Sequence, residues 1–202
     1  MTDWWLPALT AFAAIAPVEL PDKTFVATLV LTTRYRPLPV WLGVVSAFAL
    51  HCLLAVAAGS LLGLLPERPV RLAAAGLFAV GAVVLLRGAR GSREAEQPEE
   101  QEYADRVGRP RAGWAAYGAS FLLLFTAEWG DLSQLFTAGL VARGEPPVPV
   151  FLGAWAALAA VSGTAVLAGR WLVRRVRLSL VRYLAAAVCA ALAILTAVSA
   201  FG

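Results

Sequence analysis

Histidine, methionine and lysine each occur once in this chain of 202 residues, and cysteine occurs twice. That scarcity leaves almost nothing for the thiolate, thioether and imidazole sites that hold Zn2+ or Cu+. Cys52 and Cys189 both fall inside apolar runs, where they read as small packing residues rather than as a disulfide. No basic residue precedes Lys23, and Asp3 stands near the start, so the charge pattern is wrong for a cleavable secretory signal and Met1 onward is expected to stay. The net charge of +4 comes from arginines lying between apolar runs, with no basic stripe interleaved with aromatics, which argues against nucleic-acid binding. What is abundant is apolar side chain: 60% of the residues are hydrophobic, as expected of an all-α membrane protein whose surroundings are a lipid bilayer.

Runs long enough to cross a bilayer fall near 8–32, 40–64, 69–87, 114–142, 148–170 and 180–201, which predicts six transmembrane helices. Pro37 and Pro39, Pro66 and Pro69, and Pro146, Pro147 and Pro149 punctuate the short connections. The one long connection, 88–113, is rich in Arg, Glu, Gln, Gly and Pro and reads as a solvated charged linker. It separates a first unit, 1–87, from a second, 114–202. Thirteen of the sixteen arginines, among them Arg34, Arg87, Arg109 and Arg174, follow spans one, three and five, whereas Arg68, Arg71 and Arg143 lie on the other side. By the positive-inside rule the linker is cytoplasmic and both termini lie outside the cytoplasm, as in a multi-pass protein of the cell (inner) membrane.

The two units repeat. A shift of 109 residues superposes Phe12 on Phe121, Glu19 on Glu128, Asp22 on Asp131, Thr24 on Ser133 and Thr28 on Thr137. The register then slips by one, so that Pro37, Pro39, Gly43 and Gly59 meet Pro147, Pro149, Gly153 and Gly169 at a shift of 110. A unit of three spans enters the membrane from opposite sides in its two copies, which makes a 3+3 inverted repeat.

Inside the first span of each copy stand carboxylates, in Glu19-Leu20-Pro21-Asp22-Lys23-Thr24 and in Glu128-Trp129-Gly130-Asp131-Leu132-Ser133. Four ionised groups near a bilayer centre cost on the order of 10 to 14 kcal/mol, and a bound cation is the natural compensation. On a helix, residues three apart share a face, so Glu19 pairs with Asp22 and Glu128 with Asp131. Inverted symmetry brings the two faces together near the midplane. With the hydroxyls of Thr24, Thr28, Ser133 and Thr137 and the amide of Gln134, the set is all oxygen and suits Mn2+, Ca2+ or Mg2+. Pro17 and Pro21 withhold helical N–H groups and so release the carbonyls of Ala13 and Pro17 toward an ion, and Gly130 loosens the second helix where Pro21 breaks the first. Lys23 neutralises one neighbouring carboxylate or takes part in gating. Like charges crowded in a low dielectric hold protons until a cation displaces them, which is the chemistry of an exchanger. His51 lies in mid-span opposite Val161 of the second copy and reads as a packing residue ahead of a proton relay or outer ligand. Trp4, Trp5, Trp41, Trp114 and Trp171 lie near span ends, where anchoring at the interface is the default.

At these motifs the chain resembles the Gdt family of membrane cation/proton exchangers, whose signature is E-x-G-D-K/R-S/T on the first and fourth of six core helices. The resemblance spans essentially the whole chain. It implies that Glu19, Asp22, Glu128 and Asp131 bind the transported cation with Thr24 and Ser133 close by, that the cargo is Mn2+ or Ca2+ with no resident cofactor, and that manganese leaves the cytoplasm in exchange for protons. Pro21 stands where the family has glycine and Leu132 where it has lysine or arginine, leaving this site more negative than the family pattern. Two other readings compete: export of a cationic organic solute, and an intramembrane hydrolase, for which only Lys23 within the spans offers a phosphate clamp.

Overall fold

The computed structural model describes residues 4–20, 23–90, 112–175 and 178–201, and those residues form eight α-helices and no strand. They are α1 (Trp5–Glu19), α2 (Lys23–Arg34), α3 (Pro37–Leu62), α4 (Glu67–Arg90), α5 (Trp114–Ala127), α6 (Leu132–Ala142), α7 (Pro147–Arg175) and α8 (Leu178–Phe201). Most of the linker, 91–111, lies outside the described residues.

Four helices are long and apolar enough to cross a membrane: Pro37–Leu62, Glu67–Ala89, Pro147–Leu167 and Tyr183–Phe201. The predicted spans 8–32 and 114–142 are not continuous helices. Each is two short helices meeting at its acidic motif, α1 with α2 and α5 with α6. The 15 residues of α1 rise only about 22 Å, short of a hydrocarbon core about 30 Å thick, so neither half crosses alone. The second break follows from Gly130, whose φ of +80° turns the chain out of the helix. In the first copy Pro17 lies within the last turn of α1, and Pro21 and Asp22 lie outside the described residues.

Local chemistry fixes the other ends. Pro37 opens α3 behind an extended Arg36. α6 closes in a Schellman turn: Gly144 has φ +105° and donates to the Val141 carbonyl (2.9 Å), while Glu145 donates to the Leu140 carbonyl (3.2 Å).

Packing is exchanged between the halves. α1 and α2 lie on α7, α5 and α6 lie on α3, α4 pairs with α8, and α3 runs against α7. Gly43, Gly59 and Gly153 permit the closest backbone approaches. A Cβ on Gly43 would stand 2.5 Å from the Tyr117 carbonyl oxygen of α5, and one on Gly153 would collide with the Ala8 carbonyl of α1. Gly43 and Gly153 are repeat equivalents, as are Ala8 and Tyr117, so the same small-residue crossing occurs twice. The indoles of Trp41 and Trp155 donate to the carbonyls of Ala159 and Val45, both at 3.1 Å, and cross-tie α3 and α7. Trp41 is therefore a structural tie rather than only an interfacial anchor. Trp4, Trp5 and Trp114 are exposed, and the Trp171 side chain lies outside the described residues. Both cysteines are buried free thiols. Leu64, Leu167 and Val198 are among many apolar side chains facing outward, the surface that lipid requires.

Where α3 gives way to α4, and α6 to α7, a cavity of about 350 Å3 is lined by Ser60, Glu67, Arg71, Arg143, Glu145 and Pro147. Arg71 pairs with Glu67 at 3.0 Å and Arg143 with Glu145 at 2.7 Å.

Gly153→Val is expected to force α1 off α7 and cost about 1 to 3 kcal/mol of stability. Gly76→Val, with nothing within 4 Å of the new Cβ, serves as the control. Thermal unfolding in detergent checks this: the first variant melts earlier and the second stays near the parent.

Candidate cation site

Glu128 ends α5 as its cap residue, with φ −98° and ψ 17°, and Asp131 caps the start of α6. The two carboxylates thus flank a turn and do not sit on one face of a helix, as their three-residue spacing predicts. The turn is braced from within. The Gln134 amide takes the Gly130 N–H on its oxygen (3.3 Å) and donates from its nitrogen to the Glu128 carbonyl. Gln134 thus holds the break at both ends of its amide. Asp131 Oδ2 accepts from the Ser133 backbone N–H and from its hydroxyl, both at 3.3 Å, fixing the carboxylate at the positive end of α6. Thr137 donates to the Ser133 carbonyl at 2.7 Å, so its lone pairs remain on the buried side.

In the first copy Glu19 is the last residue of α1 and is fully buried, as Glu128 nearly is at 3% exposure. Thr28 on α2 is also buried. Lys23 and Thr24 lie in the first turn of α2, with side chains outside the described residues, as are Pro21 and Asp22 altogether. Pro17 sits one turn or less before Glu19, inside α1, so the Ala13 carbonyl loses its usual helical donor.

The motifs approach one another around α3. Ile15 and Leu124, equivalent residues four positions before Glu19 and Glu128, share one core cluster with Cys52. Cys52 of α3 thus packs with the residues one turn before both motifs. Among the described residues no three His, Cys, Asp or Glu side chains converge as a ready metal cage, Asp22 being outside that set.

Beside the second motif is a group that local sequence gave no reason to place there. His51 is buried, stacks on Phe125 with ring centroids 4.8 Å apart, and meets the edge of Trp129 at 6.0 Å. Its Nε2 lies 3.1 Å from the Phe125 carbonyl oxygen, 74 residues away in sequence.

The family model for the divalent cation/proton antiporter GDT1 matches residues 7–93 and 116–202, two stretches set apart by the same offset that superposes Glu19 on Glu128. The chain belongs to the GDT1 family. Similar GDT1 relatives include the GDT1-like protein sll0615 of Synechocystis, 36% identical over 68% of this chain and 72% of its own length. The GDT1-like protein 1, chloroplastic, of Oryza sativa subsp. indica is 31% identical over 94% of this chain and 61% of its own. The protein PAM71-homolog, chloroplastic, of Arabidopsis thaliana is 29% identical over 88% and 55% respectively, so the chain spans little more than half of that plant relative. No solved structure matches the chain. GDT1 proteins are antiporters of divalent cations and protons, so this is a multi-pass membrane transporter and not an enzyme. The hydrolase reading is thereby removed.

Gly130→Ala meets no steric obstacle but must hold φ at +80°, at a cost of about 1 to 2 kcal/mol. The expected outcome is a lower unfolding temperature together with weaker divalent-cation binding by calorimetry, since the same turn carries Glu128 and Asp131.

Proposed function

We propose that the chain exports Mn2+ from the cytoplasm in exchange for protons, with Ca2+ as the second candidate cargo, through a midplane site formed by Glu19, Asp22, Glu128 and Asp131. The observation that carries this reading is that Glu19 and Glu128 are buried within the apolar core where two spans are interrupted. Interrupted helices supply what a transient ion site needs: carbonyls at the end of one half-helix, N–H groups and an aspartate cap at the start of the next. The donors are oxygens, which favour a hard divalent ion over Zn2+ or Cu+.

Coupling follows from charge crowding. With the cation gone, carboxylates sharing a low-dielectric space cannot all remain ionised, so protons occupy them. An arriving divalent ion displaces those protons, and lower pH weakens cation binding by competition. Thr28, Ser133 and Thr137 line the path with hydroxyls, while Lys23 moderates the negative charge of the first motif.

We read the architecture as six spans in a 3+3 inverted repeat, two of them broken. The exchanged packing of the halves and the duplicated glycine crossing support this. With the linker cytoplasmic and both termini outside, the cavity between Glu67, Arg71, Arg143 and Glu145 opens on the outer face. Rocking of one repeat against the other exposes the site alternately to the two sides.

In proteoliposomes reporting both metal and pH, Mn2+ movement is expected to drive protons the opposite way, and Glu128→Gln to lower the rate by at least about a hundredfold. Transport of a cationic amine in place of any divalent ion, or unchanged Mn2+ exchange in Glu128→Gln, contradicts the proposal.

A further inference from the structure

The His51 ring is held on three sides. Its Nε2 faces a backbone carbonyl, which can only accept, so that nitrogen carries the hydrogen and donates to Phe125. The stack on Phe125 and the edge contact with Trp129 fix the plane of the ring. The remaining nitrogen, Nδ1, is shielded from solvent and has no hydrogen-bond partner among the described residues. A buried acceptor left open is costly, so a partner is expected there. A metal-binding imidazole ordinarily donates its other N–H to a carbonyl or carboxylate, which orients the lone pair and fixes the tautomer, and that is the arrangement found here. The ring's edge contact with Trp129, between Glu128 and Asp131 in the chain, places His51 at the second motif.

We propose that His51 is a ligand of the transported cation, with Nδ1 adding one nitrogen to the oxygen donors of the second motif. The assignment rests on the carboxylate site of the preceding section and deepens it by naming a determinant of ion choice. Imidazole nitrogen bonds a transition-metal ion better than an alkaline-earth ion, so His51 shifts an oxygen site toward Mn2+ and away from Ca2+ and Mg2+. The equivalent position in the second copy is Val161, packed with Phe25 and Ala165 in an apolar cluster. The nitrogen therefore comes from one side of the pseudo-symmetric site only.

Because His51 is the chain's only histidine, its nitrogen has an unambiguous spectroscopic label. The full chain, free of any affinity tag, is produced with and without 15N-histidine, loaded with one equivalent of Mn2+ in nanodiscs and examined by pulsed electron paramagnetic resonance. The proposal expects a nitrogen coupling to Mn2+ that moves from the 14N to the 15N frequency on labelling. Mn2+ bound without histidine coupling overturns this assignment and leaves the carboxylate site standing, whereas absence of any bound Mn2+ overturns both. In a second arm His51→Gln is expected to weaken Mn2+ binding by about tenfold or more while Ca2+ binding changes little. An equal loss for both ions marks a packing role and overturns the assignment.

Discussion

Carboxylates buried in a membrane-spanning core are the constraint to which the rest of this structure answers. Glu19 and Glu128 each end a short helix inside the protein, where ionised oxygen has no water to stabilise it. A continuous helix cannot give such a group much besides other side chains, because its backbone polar groups are already used. Interrupting the helix releases them. The second motif shows how: Gly130 turns the chain, Gln134 holds both sides of the turn, and Asp131 is seated at the next N-terminus by Ser133. The interruption is built as a stable element, with its own internal hydrogen bonds.

Such an element survives only if the surrounding helices carry the fold. α3 and α7 do so, running against each other with reciprocal Trp41 and Trp155 ties, while each half's broken span lies on the long helix of the other half. Gly43 and Gly153 let those contacts close to backbone distance. Each broken segment packs mainly on the long helix of the opposite half. The fold thus makes the segments that carry the two motifs depend on one another for their packing.

Much of this was legible in the sequence, because the informative residues are punctuation and charge. The prolines foretold the starts of α3 and α7, and the matched glycines fall at the two equivalent close crossings. The three-residue spacing of Glu128 and Asp131 misled, since the shared-face argument assumes a helix through a position where Gly130 takes a left-handed φ. Gln134, read as a supporting group of the ion site, also braces the turn, a contact that depends on where its amide meets the backbone. His51, read as a packing residue, does stack on Phe125 and bond to its carbonyl, but those partners on α5 lie far along the chain, with no local pattern to announce them.

The account stands on cation and proton competing for the same buried carboxylates. The most direct test is the proton count on binding: Mn2+ titrated into the detergent-solubilised protein by calorimetry in buffers of different ionisation enthalpy. The account predicts release of at least about one proton per bound cation, falling when Glu19 and Glu128 are both replaced by glutamine. Mn2+ binding with no proton release, or with release unaffected by those substitutions, would contradict it.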